Sequence, residues 1–274
     1  MLTTTYDDGE LTRGPDELIV EEPLSIHLDD ALVATTMRTP GHDFELAAGL
    51  CFTDGLLDGA PVLTCRYCAT GSAVDTEFNV VSVDTGGRAP VPTPRLTATT
   101  SSCGLCGSTA IDELAARLAP LDRTRAIALS VLAAVPERIR AEQGLFDATG
   151  AVHAAAAFDA TGTPLVVRED VGRHNAVDKV VGRLLLDDRL PADTLGLYVS
   201  GRASFELVQK AWAAGFVTLV SVSAPTALAV ATARRANLLL AGFVRGHRMN
   251  VYAPARVVDA PDLAMGADAD GERP

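Results

Sequence analysis

The sequence lacks a long apolar run and a strongly basic segment, and these two absences exclude several classes of protein. No stretch of the 274 residues approaches the roughly 18 to 20 apolar residues of a membrane helix. The N-terminus is acidic and rich in Thr, without the basic segment and apolar core of a signal peptide. The formal net charge of −12 argues against non-specific nucleic-acid binding. We therefore expect a soluble cytoplasmic protein that binds neither membranes nor nucleic acids.

Cysteine is also scarce, and its number excludes a common structural use. The chain has five cysteines, an odd number that argues against a disulfide framework and favours catalysis or metal binding. Four of them form two C-x-x-C pairs, Cys65 with Cys68 and Cys103 with Cys106. We expect the fifth, Cys51, to lie in the core on one face of a helix.

The composition is sufficient for one large or two modest domains, since 48% of the residues are hydrophobic. Residues 1–16 and 256–274 lack hydrophobic periodicity, and we predict a flexible tail at 1–16 and a disordered acidic tail at 256–274. Between them we expect a smaller N-terminal α+β domain at 17–130, which carries Cys103 and Cys106, and an α/β domain at 131–255.

The predicted secondary structure differs between the two halves. In the first half we predict strands and a helix capped by Asp43; the strands are Leu18–Val20, Leu24–Leu28, Ala31–Met37 and Phe78–Val83. In the second half apolar strands alternate with helices, which is typical of an α/β layer. The strands are Ala126–Val131, Pro164–Val167, Leu195–Val199, Val217–Val222 and Leu238–Val244, and the helices are His174–Leu186, Ser204–Ala213 and Pro225–Asn237, with Pro225 in the first helical position.

The pair Cys103 and Cys106 lies just before a predicted helix. The helix is indicated by apolar residues at helical spacing, which are Ile111, Leu114, Ala115, Leu118 and Ala119, and by Pro120 as its end. Ser108 or Thr109 can cap it, with Asp112 and Glu113 in its first turn. Free backbone N–H groups and the positive end of the helix dipole would stabilise a thiolate there.

The residues alone leave several roles open for these thiols. A C-x-x-C pair serves as a dithiol for redox or sulfur chemistry, as half of a zinc site, or as inert packing. With Cys65 and Cys68 the pair could form a closed four-thiolate zinc site. A zinc deaminase is excluded, because its signature needs H-x-E upstream of P-C-x-x-C, whereas Ser102 precedes Cys103 and His153 lies downstream, followed by alanines.

Two strand ends in the second half share one pattern. The strand that ends at Val199 runs into Ser200-Gly201-Arg202-Ala203-Ser204, and the strand that ends at Val222 runs into Ser223-Ala224-Pro225-Thr226, each followed by a helix. Such turns bind anions through backbone N–H groups at the helix N-terminus. Either turn alone could be ordinary helix capping. Both together, with Arg202, predict a phosphate or nucleotide site at the carboxyl edge of the sheet.

Three further polar groups are candidates. The run from Arg168 to Asn175, which includes Arg173 and His174, is too polar for a simple connection, although a solvated loop would look similar. The segment Arg245-Gly246-His247-Arg248 can clamp an anion or form a plain surface turn. His153 lies among alanines, where a core or hinge role is more common than ligand binding.

Six separated motifs, in order along the chain, resemble the formate dehydrogenase accessory sulfurtransferases, the FdhD family. They span about residues 39 to 252 and comprise Thr39–Ala47, Ser101–Gly107, Gly144–Asp147 with Val152–Ala155, Arg168–Lys179, Ser200–Glu206 with Gln209 and Lys210, and Ser221–Thr226. The resemblance implies that the second half is a cytidine-deaminase-like three-layer α/β domain without the zinc site. It also assigns the segment Phe243–Arg248, whose first two residues are Phe243 and Val244, to the cofactor site.

The same resemblance implies a function. A cysteine desulfurase would pass sulfur to Cys103 as a persulfide, and the protein would deliver it to the molybdenum bis(molybdopterin guanine dinucleotide) cofactor of formate dehydrogenase, with Cys106 as a resolving thiol. The family forms homodimers, so two guanine nucleotide pockets could hold the two guanine ends. The rival interpretation is a zinc-stabilised cofactor-binding chaperone that moves no sulfur, and a third is a thiol-disulfide oxidoreductase. The pair Cys65 and Cys68 matches no family motif.

Overall fold

The computed structural model describes residues 1–68, 72–91, 107–122 and 127–253. The tail predicted at 256–274 lies outside these ranges. The first 16 residues form an antiparallel hairpin of β1 (Leu2–Asp7) and β2 (Glu10–Pro15), so the prediction of a tail without secondary structure is wrong there. The hairpin is difficult to find from sequence because neither of its faces is buried, and Tyr6 and Leu11 remain about 70% exposed.

A second sheet and one helix form the first core. The strands β3 (Glu22–Leu28), β4 (Ala31–Arg38), β5 (Thr64–Tyr67) and β6 (Val80–Asp84) pair in the order β4-β3-β6-β5. The helix α1 (Asp43–Thr53) packs its apolar side chains, Cys51 among them, against Leu24, Ile26 and Val81. Cys51 is therefore a core residue, as expected.

Two local predictions in this part are wrong. Residues 18–20 form no strand, and Leu18 and Val20 stay exposed. Asp43 does not cap α1, because His42 occupies the N-cap position in a left-handed conformation and makes no side-chain cap bond. The buried Asp43 carboxylate instead accepts hydrogen bonds from Arg38, from Nε at 3.1 Å and from Nη2 at 3.0 Å.

The second half is a three-layer α/β sandwich, in agreement with the predicted fold class. Its helices are α2 (Gly107–Arg117), α3 (Leu129–Arg140), α4 (Gly144–Thr149), α5 (Arg173–Leu186), α6 (Phe205–Ala214) and α7 (Ala227–Ala236). Its strands are β7 (His153–Phe158), β8 (Pro164–Asp170), β9 (Gly196–Val199), β10 (Thr218–Ser221), β11 (Leu239–Arg245) and β12 (Arg248–Ala253). The sheet order is β12-β11-β10-β9-β7-β8, with β9, β10 and β11 parallel.

Helices cover both faces of this sheet. On one face Leu132, Val135 and Ile139 of α3 pack against Ala156, Phe158, Tyr198 and Val220, and on the other face α2, α5, α6 and α7 share a second core. The strand predicted at Ala126–Val131 is wrong, because Leu129–Val131 begin α3, whose apolar residues continue at helical spacing. Two strands of this sheet, β7 and β12, are not among the predicted ones, and neither is β5 of the four-stranded sheet.

Two helix starts also differ from their predicted positions. The helix α2 begins at Gly107, before Ser108 and Thr109, so Asp112 and Glu113 lie beyond its first turn. The helix α7 begins after Thr226, whose hydroxyl caps it by accepting from the Ala229 N–H at 3.2 Å. Pro225 therefore lies two residues before the first helical residue and pairs with Ala203 in an isolated parallel bridge.

The first core is joined to the α/β layer where α1 crosses α5. Gly49 and Gly182 allow this crossing: a Cβ on Gly49 would lie 1.9 Å from the Asp178 carbonyl oxygen, and one on Gly182 would lie 1.8 Å from the Glu45 carbonyl oxygen. The extent of each predicted domain stays a prediction. Within the described ranges no helix has both the length and the apolar character to cross a membrane.

Candidate functional site

The two predicted anion-binding turns lie side by side at the carboxyl edge of the large sheet. Their strands β9 and β10 are parallel neighbours, as the sequence pattern requires. The Ser221 hydroxyl joins the turns, because it donates to the Gly201 carbonyl at 2.7 Å and accepts from the Ser223 N–H at 3.1 Å. The Thr226 N–H donates to the Ala203 carbonyl at 3.0 Å. This edge is where open α/β sheets bind ligands.

The segment from Phe243 to Arg248 lies beside the second turn. It contains a bulge, because Phe243 has φ of 54° and donates its N–H to the Ser223 carbonyl at 3.1 Å. A left-handed bulky residue is unusual and is found more often at functional sites than elsewhere. Arg245 and Arg248 pair across the hairpin between β11 and β12, with Gly246 and His247 in its turn. The hairpin therefore presents two exposed arginines next to the turns.

A cleft of about 720 Å³ opens at this edge, between the sheet and helices α3 and α4. Four of the predicted site residues line it: Ser200, Val244, Arg245 and Gly246. Its other lining residues include Glu137, Arg140, Gln143, Phe146, His153 and Tyr198. The volume is in the range of pockets that hold ligands of nucleotide size. The sequence patterns predicted neither α3 nor α4 as a helix, although Gly144–Asp147 in α4 is one of the six motifs and strand alternation places Tyr198 on the same face as Ser200.

Polar contacts hold the wall of the cleft that α3 and α4 form. The Arg140 guanidinium pairs with Asp147 and lies 4.8 Å from the centre of the Phe146 ring. The N–H groups of Leu145 and Phe146 donate to the Glu169 carboxylate at 2.8 and 2.9 Å. Burial raises the pKa of Tyr198 to about 12, with Gln143 as its hydrogen-bond partner, so the hydroxyl remains a neutral donor in the cleft.

His153 belongs to this site and not to the core. A Cβ on Gly201 would lie 3.4 Å from His153 Nδ1 and 3.7 Å from Arg173 Cδ, so these three residues are close together. Burial, followed by the positive charge of Arg173, lowers the pKa of His153. A neutral imidazole at the side of the cleft can donate or accept a hydrogen bond with a ligand.

Of the predicted residues Arg173, His174 and Asn175, the last has a structural role. Asn175 is buried, and its Nδ2 donates to the Met37 carbonyl at 2.8 Å and to Asp170 at 2.9 Å. Asp170 is fully buried and lies 2.7 Å from Lys179 Nζ. These contacts hold β4 against the start of α5, so much of the polar run from Arg168 to Lys179 joins the two halves.

His174 lies at the first turn of α5, where it faces α6. Its Nε2 is 3.9 Å from the Glu206 carboxylate. Burial lowers the pKa of His174 to about 4, and the charges of Arg173 and Lys210 add to this effect. Burial also opposes the ionisation of Glu206, but its own backbone N–H and the positive charge of Arg173 help to lower the pKa of this carboxyl group. At neutral pH the pair is thus a neutral imidazole beside a carboxylate.

A buried ion pair between Lys210 and Asp178 lies one turn further along α5 from His174. Lys210 Nζ donates to Asp178 at 2.9 Å and to the Thr53 hydroxyl at 2.8 Å, and that hydroxyl donates to Asp178 at 2.7 Å. Burial raises the pKa of Asp178 to about 6 against the opposing effect of Lys210. The nearby charges of Asp178 and Asp54 raise the pKa of Lys210, although its burial acts in the opposite direction. The ion pair links α1, α5 and α6.

The predicted persulfide cysteines, Cys103 and Cys106, lie outside the described residues. The chain after them is positioned by α2, which packs against α7. The Trp212 indole N–H donates to the Ala119 carbonyl at 2.8 Å, and the Leu121 N–H donates to the Ala236 carbonyl at 2.9 Å. The end of α2 therefore lies beside the ends of α6 and α7.

The second cysteine pair has properties of its own. Burial raises the pKa of Cys65 to about 11, so this thiol is protonated at neutral pH. Cys65 and Cys68 are both half-buried and free. Across the described ranges, no group of three or more His, Cys, Asp or Glu residues could hold a metal ion. The other pair of the predicted zinc site, Cys103 and Cys106, lies outside these ranges.

Comparison with known proteins identifies the family. The model of the FdhD/NarQ family matches residues 19–258. The chain belongs to the FdhD/NarQ family. This match includes all six motifs that carried the resemblance, the two turns and the cleft.

Several members of the FdhD/NarQ family are similar over most of their length. The chain is 49% identical over 251 residues to a protein of Nocardia farcinica, which covers 90% of the chain and 89% of that protein. It is 49% identical over 257 residues to one of Streptomyces coelicolor, with 90% and 91% covered, and 44% identical over 261 residues to one of Mycobacterium tuberculosis, with 90% and 93% covered. Each of these relatives is named sulfur carrier protein FdhD.

A solved structure has the same fold. It is the crystal structure of a protein from Desulfotalea psychrophila, described as a candidate formate dehydrogenase accessory protein. The TM-score is 0.73 at 25% identity, with 94% of the chain and 98% of that structure covered. The overall fold of the chain is therefore the same as the fold of this solved protein.

Proposed function

We propose that this protein is a sulfurtransferase that carries sulfur as a persulfide on Cys103 and delivers it to the molybdenum bis(molybdopterin guanine dinucleotide) cofactor of formate dehydrogenase. The observation that carries the proposal is the pair of joined turns beside a nucleotide-sized cleft in a chain whose relatives are named sulfur carriers. The sulfur donor is a cysteine desulfurase, and a guanine nucleotide occupies the cleft. The protein acts as a homodimer, in which two clefts hold the two guanine ends.

The position of α2 supports a meeting of sulfur and acceptor. The helix packs against α7 and ends beside the end of α7, so both helices begin toward the edge that carries the turns. Cys106 is the residue before Gly107, the first residue of α2, and Cys103 is three residues earlier. Since consecutive Cα atoms are about 3.8 Å apart, Cys103 is tethered within about 15 Å of the helix start.

The transfer has two balanced steps. In the first, the Cys103 thiolate attacks the outer sulfur of the donor's persulfide; the donor's S–S bond breaks, its cysteine leaves as a thiolate, and a persulfide forms on Cys103. In the second, the Cys106 thiolate attacks Cys103 Sγ, a Cys103–Cys106 disulfide forms, and the outer sulfur leaves as sulfide to the molybdenum substrate. A thiol reductant then restores the two thiols.

The first prediction concerns the carrier. After incubation with a cysteine desulfurase and cysteine, mass spectrometry of the wild type is expected to show one added sulfur on the peptide that contains Cys103. The variant Cys103→Ala should lose this sulfur, whereas Cys106→Ala should load sulfur but fail to activate formate dehydrogenase. Cys65→Ala is the matched control and should keep both properties, since the Cys65 thiol is protonated at neutral pH and lies on β5 of the four-stranded sheet.

Other outcomes would assign a different role. Loading that survives in Cys103→Ala and is lost in Cys106→Ala would reverse the order of the two thiols. Stoichiometric zinc in the purified protein that is lost in Cys65→Ala or Cys103→Ala, without any sulfur loading, would favour a zinc-stabilised cofactor-binding chaperone.

A further inference from the structure

The cleft at the carboxyl edge has walls of opposite character. The strand side presents Ser200, Gly246 and the exposed Arg245, which suit a phosphate. The helical side presents Glu137 together with Arg140 and Phe146. Arg140 is already paired with Asp147, so its charge is largely compensated. The strand side and the helical side of the cleft therefore favour different parts of a nucleotide.

Glu137 is the feature that a phosphate site does not explain. Among the residues that line the cleft in the described chain, it alone is acidic. Glu137 is exposed at the cleft, and in those parts of the chain that the structure describes it enters no ion pair. Because a carboxylate repels phosphate, its side of the cleft favours a portion of the ligand that donates hydrogen bonds.

The chemistry of a carboxylate selects the base. Ionised Glu is an acceptor with two oxygens, and guanine offers two adjacent donors, N1–H and the N2 amino group, on its Watson–Crick edge. Adenine has an acceptor at N1 and no amino group at C2, so it cannot make the same pair of bonds. Phe146, which is 38% exposed and carries Arg140 on one side, offers an aromatic surface in the same cleft.

We propose that Glu137 is the residue that selects guanine, with its carboxylate accepting from N1–H and the N2 amino group while Arg245 and the strand edge hold the phosphates. This inference rests on the proposed function, because it takes a guanine nucleotide as the occupant of the cleft. It adds the orientation of that nucleotide, with the base toward α3 and the phosphates toward the β11–β12 hairpin. It also adds a specificity-determining residue on α3, outside the two turns and the hairpin.

The experiment is calorimetric titration of the full-length protein with GDP, inosine diphosphate, xanthosine diphosphate and ADP. The wild type should bind GDP about tenfold or more tightly than inosine diphosphate, which lacks the N2 amino group, and discriminate further against ADP. Glu137→Gln should bind GDP about tenfold or more weakly. It should also gain affinity for xanthosine diphosphate, because the Gln amide donates to the C2 carbonyl that replaces the amino group. Glu142→Gln, an exposed neighbour outside the cleft lining, is the matched control and should keep the wild-type preference.

The outcomes separate this inference from the proposed function. If the wild type binds GDP and Glu137→Gln binds it equally well, with no gain for xanthosine diphosphate, Glu137 does not select the base and the inference is overturned. If the wild type binds none of the four nucleotides, the cofactor part of the proposed function fails together with the inference. Sulfur loading on Cys103, measured separately, would in both cases show whether the carrier role stands.

Discussion

At the scale of single residues, His174 shows how burial controls protonation at the edge of the site. It faces Glu206, but Arg173 and Lys210 are also close, and burial is the largest cause of its lowered pKa of about 4. In the unfolded chain a histidine has a pKa of about 6.5. Between these two values the unfolded state binds more protons than the folded state, so the stability of the protein rises with pH.

The prediction is that His174 contributes stability that is present above about pH 6.5 and is lost as the pH falls toward about 4. Solvent reaches 36% of the side chain, so screening makes the effect smaller than the full pKa difference would give. Urea unfolding at pH 7.5 and pH 4.5 should show a smaller loss of stability at low pH in His174→Gln than in the wild type. An equal loss in both proteins, or a His174 titration near pH 6.5 by NMR, would contradict the prediction.

The positions of the two turns, but not their role in binding, follow from a local pattern in the sequence. Ser200 to Ser204 and Ser223 to Thr226 were predicted because small residues between a strand and a helix form a recognisable turn, and parallel strands bring such turns to one edge. Asn175 was predicted as a binding residue, yet its amide joins Met37 to Asp170. A polar residue that bonds a distant segment has the same sequence pattern as one that bonds a ligand.

At the scale of elements, the crossing of α1 and α5 depends on two glycines. The Cβ atoms that alanines would add at Gly49 and Gly182 would meet backbone carbonyl oxygens of the opposite helix at 1.9 and 1.8 Å. Backbone atoms of a helix cannot move aside individually, so a side chain at either position must separate the two helices. The buried hydrogen bonds that join the helices, such as the bond from Thr53 to Asp178, would then all lengthen.

We predict that Gly182→Ala lowers the free energy of unfolding by about 3 kcal/mol, since overpacking against backbone outweighs the gain of about 1 kcal/mol in helix propensity. Gly14→Ala is the matched control, because the added Cβ meets no atom within 4 Å in β2. It should change the free energy of unfolding by less than about 0.5 kcal/mol. Urea unfolding followed by circular dichroism measures both. Equal stability of the two variants would mean that the helices separate at no cost.

The helices and strands are predictable from the sequence where the spacing of the apolar residues is clear. They are not predictable where contacts with distant segments determine the secondary structure. The strands β9, β10 and β11 are short apolar runs between turn residues and were found with small shifts at their ends. The strand β7 is Ala-rich, and Ala has little strand propensity, so its position is determined by pairing with β8 and β9. The N-terminal end of α3 was mistaken for a strand because its first residues are apolar in succession.

At the scale of the whole molecule, two hydrophobic cores are joined by buried polar contacts in addition to the glycine crossing. Lys179 is 1% exposed, and its Nζ donates to the Thr39 carbonyl at 2.9 Å and pairs with Asp170 at 2.7 Å. Asp170 in turn accepts from the Thr39 N–H at 3.1 Å. Arg168 adds a bidentate pair with Glu45, at 2.5 and 2.8 Å. The segment before α1 and the helix itself are therefore bound to the α/β layer through a fully buried pair, Lys179 with Asp170, and a mostly buried pair, Arg168 with Glu45.

These contacts predict that the two cores unfold together. The single tryptophan, Trp212, is buried in the core of the α/β layer, so its fluorescence reports on that layer, whereas far-UV circular dichroism reports on the whole chain. The two urea curves should coincide for the wild type. Lys179→Met leaves Asp170 buried without its cation, which costs about 3 to 5 kcal/mol. It also removes the bond to Thr39, so the circular dichroism signal should begin to fall at a lower urea concentration than the fluorescence.

Arg183→Met is the matched control for this last prediction. Arg183 is on the same helix, but 46% of its side chain is exposed; its partners are Asp187 on the next turn at 2.8 Å and Glu45 of α1 at 3.8 Å. Exposed pairs of this kind contribute at most about 1 kcal/mol, so the two curves should stay coincident in this variant. Coincident curves in Lys179→Met would show that the remaining contacts, among them the glycine crossing and the Arg168–Glu45 pair, are sufficient to couple the cores. Separate curves in the wild type would show that the first core and the α/β layer are independent folding units.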